Sequence, residues 1–529
     1  MPLTRNFQLA VKVEDQWATP DTGAVLFAAG NMAFLPINPK VKFNPQITQR
    51  DIAQGTLTPA KGVVGQVTGS GTVTHELLSS SSAYTLAPLL RACGLLQIQV
   101  VKLKVSSAGI KKNGAAAYLK HGTKLFYGTA AAVPADSYVT CFGDYYDGDP
   151  VVFAAYQNDA ADLPYNYFLW QAGAAGLTVP VAGNKVTDDD AEGATTETHF
   201  VIDTAGVILD GGQGFCPVSH SLHRLSVPVP AGTVTITKGD ILVGQTSGSR
   251  WQAAHTVVFA AASAGSVACI NLTGHLTAGE LLHDLTNSDA NLGAVEATVD
   301  LAEKQLAGCT IGFGVWEDGV RVAISSARGS PVFHFPVGKP ATVDFNFEGV
   351  KNVIQDAAGT TGITYPDLLP PIFQNTSLVF GKDTGVLSTE EYAPCVESVE
   401  LTLGNEINPR QCSNAEFGVL EYEITGRKPT GKINPELYQE AVFATLADFV
   451  SDVNCRVFFK YARPTPEAHN KFWFWLPSIG MTDVDNGDRN GRATREITFA
   501  PNTGTAGFVQ HDIDNDFVLI MDNAPSSFA

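Results

Sequence analysis

An all-β protein containing a duplicated module is what the sequence predicts, and three observations predict it. Apolar residues mostly recur in short alternating runs, the period of half-buried strands. Charged residues make up only 16% of the chain while Gly (50) and Pro (29) are frequent, which suits many strands joined by turns and large contact surfaces. One set of landmarks also occurs twice. Phe43-Asn44-Pro45 leads to Gly62-Val63-Val64, then Thr68-Gly69, then a helix-period run over 84–96. Ile407-Asn408-Pro409 leads to Gly418-Val419-Leu420, then Thr425-Gly426, then a helix-period run over 435–450. Order and spacing match to within about ten residues, which reads as a diverged duplication.

The elements follow in chain order. Residues 6–13 alternate as a strand, 18–23 form a turn-rich loop, and 24–35 are a second apolar run. Residues 63–77 place Val, Thr and Gly at strand spacing. In 82–96 the period changes: Leu86, Leu89, Leu90, Cys93 and Leu96 mark a helix with one buried face, broken near its end by Gly94. Residues 126–304 read as an insertion, acidic and rich in Gly and Ala. It holds a smaller echo, TITKGDILVGQTSGS at 235–249 and HLTAGELLHDLTNSD at 275–289, with Gly239-Asp240 and Gly279-Glu280 in the same place. The first module resumes at about 305. Glu317-Asp318-Gly319 between 310–316 and 320–324 is a hairpin signal, and 331–335 and 342–347 are further strands. In the second module, Asn434 and Pro435 predict a helix start and 435–450 its length. Residues 453–461, 472–476 and 495–499 read as strands, and 512–521 as a C-terminal arm.

Charge is unevenly distributed. The net charge is −19, yet residues 1–125 hold 13 Lys/Arg against 5 Asp/Glu, leaving 21 against 48 in the rest. Between 126 and 223 the only Lys or Arg is Lys185. Such a split suits head-to-tail contact between copies, basic face to acidic face, or plain solvated surface. The acidic total argues against tight wrapping of nucleic acid, which needs phosphate neutralisation. The eight cysteines form no CxxC pair and read as buried reduced thiols, so assembly is expected in a reducing cytoplasm. The N-terminal run alternates and lacks an apolar core of signal length, and no stretch of about 18 apolar residues predicts a membrane span.

Candidate chemistry is sparse. His220 and His223 have HxxH spacing, with Asp210 nearby, but residues three apart on a strand face opposite sides, and Pro217, Pro228 and Pro230 argue against a helix. Asp483 to Gly491 resembles a calcium loop, but counted from Asn486 the twelfth position is Ile497 rather than Glu, so a polar hairpin is expected. Asp512, Asp514 and Asp516 alternate without the required glycine, and Asp188 to Asp190 read as a solvated loop. Gly211-Gly212-Gln213-Gly214 precedes no helix and reads as a turn. Phe458, Phe459 and Tyr461 around Lys460 read as core strand rather than a base-stacking platform. We therefore expect no catalytic, cofactor-binding or metal site, and not an enzyme.

Several pieces together resemble one family. VKVEDQWATPDTGAVLFAAGN (11–31), QRDIAQGTLTPAKGVVG (49–65), TGSGTV (68–73) and PLLRACGL (88–95) are similar to the N-terminal half of siphophage major tail proteins, the tail-tube proteins. DGVRVAISSARGSPVF (318–333), ESVELTLGNEI (397–407), ITGRKPTGKINPE (424–436) and GDRNG (487–491) resemble the C-terminal half. The insertion is longer than the plain family has. The resemblance implies two tail-tube-type β-sandwich or barrel domains, each with a flanking helix, plus the inserted β-rich region. The expected bounds are 1–125 with 305–349, then 126–304, then 350–529 with the arm. It further implies a structural virion protein whose rings stack head to tail into a hollow tail tube, assembled in the host bacterial cytoplasm. Six domains per ring with two per chain give three chains. The implied partners are further copies, the tape measure, terminator and tail-tip proteins, and genomic DNA passing through the lumen without specific binding. No membrane is involved. A phage tail adhesin or fibre-like host-binding protein is the alternative, though no coiled-coil segment or loop aromatic array supports it.

Overall fold

The computed structural model describes residues 7–15, 19–32, 36–50, 60–78, 86–128, 138–143, 145–149, 151–155, 179–188, 197–208, 214–218, 220–227, 234–254, 257–259, 265–277, 279–287, 290–294, 303–363, 369–374, 376–382, 391–392, 394–437, 445–462, 471–502 and 516–522. It is mainly β and includes a six-stranded barrel.

A 16-stranded sheet organises the chain. From one edge its strands run Ile37–Arg50, Ala60–Glu76, Thr342–Asp356, Val320–Pro336, Val396–Thr402, Thr430–Pro435, Arg492–Pro501, Lys471–Arg489, Cys455–Ala462, Ser377–Lys382 and Glu391–Tyr392. Ile311–Glu317 pairs with Val320–Pro336, and Phe7–Val13 pairs with Ile311–Glu317. One pairing order thus occurs twice. In the first half it is Ile37–Arg50, Ala60–Glu76, Thr342–Asp356, Val320–Pro336, Ile311–Glu317, Phe7–Val13. In the second it is Val396–Thr402, Thr430–Pro435, Arg492–Pro501, Lys471–Arg489, Cys455–Ala462, Ser377–Lys382. Chain order matches too: a lone strand, a hairpin arm, a short helix, a strand, then a long hairpin.

Local chemistry explains the elements. Asp318 (φ 40°) and Gly319 (φ 103°) give the left-handed two-residue turn that joins right-twisted strands. Gly329 lies opposite Phe347, and Gly431 opposite Phe499, so in each half an aromatic ring covers a cross-strand glycine. Leu86–Ala92 is helical and buries Leu86, Leu89 and Leu90. Gly94 (φ 80°) ends it, and Leu95–Ile98 is a strand rather than the helix's last turn. The helix expected at 435–450 is corrected as well. Pro435 is in a strand opposite Val396, and Asn434 accepts backbone N–H bonds from Glu397 and Ser398, so its side chain serves the sheet and caps no helix. Only Thr445–Val450 is helical there; 438–444 lie outside the described residues. The two halves share one core, in which Phe333 and Phe335 of the first meet Phe474 of the second.

The insertion starts earlier than expected. Val100–Val105, Lys124–Gly128, Tyr138–Phe142, Val151–Ala155, Lys185–Thr187 and Thr198–Ile208 form the barrel, closed by pairing between the last two. The expected boundary at 125/126 falls inside the strand Lys124–Gly128. The chain then returns: Gly214–Pro217 pairs with Leu95–Ile98 and with Val518–Asp522, carrying Phe215 into the main core. A seven-stranded sheet spanning 222–307 follows. There the small echo is visible. The hairpins Ile241–Gly244/Arg250–Ala253 and Leu281–Asp284/Ala290–Ala294 pair through their first strands. Asp240 and Glu280 each accept the N–H three residues back, at 2.7 Å and 2.6 Å.

Val518–Asp522 is a fully buried strand beside Lys471–Arg489, not a peripheral arm. Its Asp522 holds Lys102 of the barrel at 2.8 Å, both buried, and Trp475, Val518 and Ile520 belong to the barrel's core. Deleting 130–300 would remove the Phe215 strand and strip Trp475 of cover. We therefore predict loss of a cooperative thermal transition in that deletion, measured by circular dichroism; an intact transition would contradict the packing described here.

Candidate assembly interface

Two hairpin arms project from the sheet. The first is Ile37–Arg50 with Ala60–Glu76. The second is bent: Val396–Thr402 pairs with Thr430–Pro435, and Asn405–Gln411 with Val419–Arg427. The bend needs Gly404 (φ 60°), because a Cβ there would strike the Lys428 carbonyl. The repeated landmarks lie on equivalent parts of the arms. Asn44 accepts from Thr68 Oγ1 through its carbonyl, and Asn408 donates from Nδ2 to Thr425 Oγ1.

The second arm is docked on the first half. Its strand Val396–Thr402 pairs antiparallel with 332–336, from Val332↔Thr402 to Pro336↔Ser398. His334 lies there between Asp344 (3.2 Å) and Glu400 (3.4 Å). Asn405 donates from Nδ2 to the carbonyls of Cys93 and Gly329, and from its backbone N to Ser330 Oγ. Glu421 meets Arg328 at 3.3 Å, both almost fully buried. Burial raises the pKa of the Glu421 carboxyl, and Arg328 and Arg410 oppose that rise. Ile407, Phe417, Val419 and Tyr422 pack on Val350, and Lys351 sits 5.6 Å from the centre of the Phe417 ring.

The first arm and the second long hairpin present the corresponding surfaces uncovered. Among the described residues, the outer edge of Ile37–Arg50 has no neighbouring strand, and 483–489 pair only with Arg492–Pro501. On the first arm, Ile47, Val63 and Val64 are 56%, 52% and 57% exposed, whereas Val419 of the docked arm is 3% exposed. The charges of the two bare edges are opposite. Lys40 and Lys42 are exposed on the arm, and Asp483, Asp485 and Asp488 are exposed on the hairpin.

His220 is exposed, whereas His223 is buried in the strand Leu222–Val227 with its ring 5.4 Å from Trp251. Burial pushes its pKa down to about 3, so it is a neutral core group. Asp483 to Gly491 is a strand end and a tight turn, with Asn490 and Gly491 at positive φ. Asp516 is buried against Arg427 at 3.0 Å, and Asp188 accepts from the Thr198 backbone. Asp210, Asp512, Asp514, Asp189, Asp190 and 211–213 lie outside the described residues, and Gly214 opens a strand. Phe459 is a core residue, and Phe458 packs on Trp473 and Trp475. Six cysteines are buried, while Cys395 is exposed and Cys412 half-buried. Among the described residues, no group of His, Cys, Asp and Glu could hold a metal ion, and no helix is long and apolar enough to cross a membrane. What the sequence reading missed was the edge pair. Its signal in the sequence is the alternation of Lys40 with Lys42 and of Asp483 with Asp485. No protein-family model matches the chain, and no curated protein matches it.

Proposed function

We propose that this chain is a structural subunit of the hollow tail tube of a long-tailed bacteriophage, a virion protein rather than an enzyme. One observation carries the reading: the same pairing order occurs twice, and the second arm is joined edge to edge to the first half. A chain with one such junction inside it, and one bare arm and one bare edge outside, is suited to head-to-tail repetition. Heterologous contacts of that kind close into rings when the rotation allows. Joining strands between copies also removes the liability of exposed sheet edges. The resemblance to siphophage tail-tube proteins supplies the size of the ring: six modules, hence three chains, stacked into a conduit for DNA ejection. On this reading the tape measure, terminator and tail-tip proteins are its partners, and DNA slides past an acidic lumen without specific binding. The barrel and the seven-stranded sheet decorate the outside of the wall.

Negative-stain microscopy of the purified chain tests the proposal. Tubes or stacked rings are expected. Discrete trimers that never stack would favour the host-binding alternative, and featureless monomers would overturn assembly altogether.

A further inference from the structure

We infer that a second copy of this chain seats its first arm on the 483–489 edge, as the second arm is seated on the first half within one chain, and that opposite charge selects this pairing. The number of copies that close the ring rests on the tube reading; the contact itself rests on the internal junction.

The internal junction serves as the template. The arms can be aligned on their shared Asn-Pro, which makes Asn405 correspond to Val41. The long hairpins can be aligned on their bulges. Arg328↔Glu348 and Asp483↔Thr498 are the first pairs beyond them, so Gly329 and Ser330 correspond to Val484 and Asp485. Inside the chain Asn405 touches Gly329 and Ser330. Between chains Val41 therefore falls beside Val484 and Asp485. Lys40 and Lys42 flank the first position, and Asp483 and Asp485 flank or occupy the second. Val63, bare on the first arm, falls where Val419 is covered in the docked arm.

Charge makes the two junctions non-interchangeable. The docked second arm carries Glu421, which meets Arg328, and Asp483 takes the place of Arg328 in the second long hairpin. Placed on 483–489, the second arm would bring that carboxylate to Asp483. The first arm, placed on the first half, would bring Lys40 and Lys42 beside Arg328. Like charges opposed across a strand pair are unfavourable, so each arm has one acceptor. Copies therefore join in one orientation only, arm to edge. The contact is exposed and should weaken with salt, since such charges are screened beyond about 8 Å at physiological ionic strength.

The test uses the full chain in three forms: K40E/K42E, D483K/D485K, and the two sets combined. All four positions are exposed, so each form should melt like the parent in thermal circular dichroism. Assembly is followed by sedimentation velocity and microscopy. Each single set should raise the apparent dissociation constant roughly 100-fold or more, and the combined form should regain assembly. Mixing the two single sets should restore contacts only in alternation, which cannot close a ring of three. Single sets that assemble like the parent, or a combined form that stays dissociated, would overturn the inference while leaving the tube reading standing. A mixture that closes rings would keep the pairing and refute three chains per ring. A parent chain that only forms salt-sensitive chains or dimers, lost in each single set, would keep the pairing and refute the tube. A parent that is monomeric at every concentration and salt would refute both.

Discussion

Replacing Arg328 with alanine is expected to lower the unfolding free energy by about 2–3 kcal/mol, because it removes the buried partner of the Glu421 carboxylate and leaves only the half-exposed Arg410 at 3.3 Å. Both side chains are almost completely shielded from water, and their contact joins the second arm to the first half. Burial alone already raises the pKa of Glu421, and Arg328 is the largest opposing influence. Without it the carboxyl can take up a proton, or the arm can swing out to solvate it. Either response should be visible as faster hydrogen exchange over 405–427. The double substitution Arg328→Met with Glu421→Leu removes both charges and keeps the volume. It should recover most of the loss, since a buried ion pair and well-packed apolar residues are of similar stability. Urea unfolding measures both variants. A loss under about 1 kcal/mol for Arg328→Ala would mean the pair is solvated and does not hold the arm.

Stability should also fall as the solution is made alkaline, and Glu14 is the group responsible. Its Oε1 accepts the Ser326 N–H at 2.7 Å, at a bulge where Ser326 has φ 49°. Burial drives its pKa up to about 8 from 4.5, with the Ser326 and Thr310 hydrogen bonds and Arg328 pulling the other way. The folded state thus holds a proton that the unfolded chain releases. That contribution is complete below about pH 4.5 and is lost as pH rises through about 8. At 1.36 kcal/mol per unit the full swing is on the order of 4–5 kcal/mol. Glu14→Gln keeps the acceptor for Ser326 and removes the titration. Its unfolding free energy should be flatter across that window than that of the parent. Identical pH profiles for the two proteins would show that Glu14 is ionised and solvated.

Features fixed by short-range chemistry were legible in the sequence. Glu317-Asp318-Gly319 was readable as a hairpin because only a left-handed turn fits that spacing, and the arm landmarks were readable because the two arms kept the same turn and strand residues. The echo of Gly239-Asp240 in Gly279-Glu280 was readable for the same reason: each acid caps its own turn. Features decided by distant neighbours were not legible. In Val100–Val105, Val101, Leu103 and Val105 alternate with Lys102 and Lys104 as in a strand with one wet face, yet Lys102 is buried against Asp522, remote in sequence, so nothing local assigned the strand to a closed barrel. Val518–Asp522 is flanked by acids and looked like an arm, yet it lies between two strands remote in sequence, with Asp522 neutralised by Lys102. Asn434-Pro435 has the composition of a helix start, and tertiary pairing with 396–398 overrode it. The candidate interface was hidden because its meaning depends on the internal junction, which no local pattern encodes.

A reconstruction of the assembled protein that resolves individual strands decides how the chains are arranged. Three chains per ring, arranged as six similar modules, are expected. Junctions of the 332–336/398–402 kind should alternate with junctions between 37–43 of one chain and 483–489 of the next. Six chains per ring, or rings of three whose chains meet without strand pairing at those edges, would contradict this arrangement.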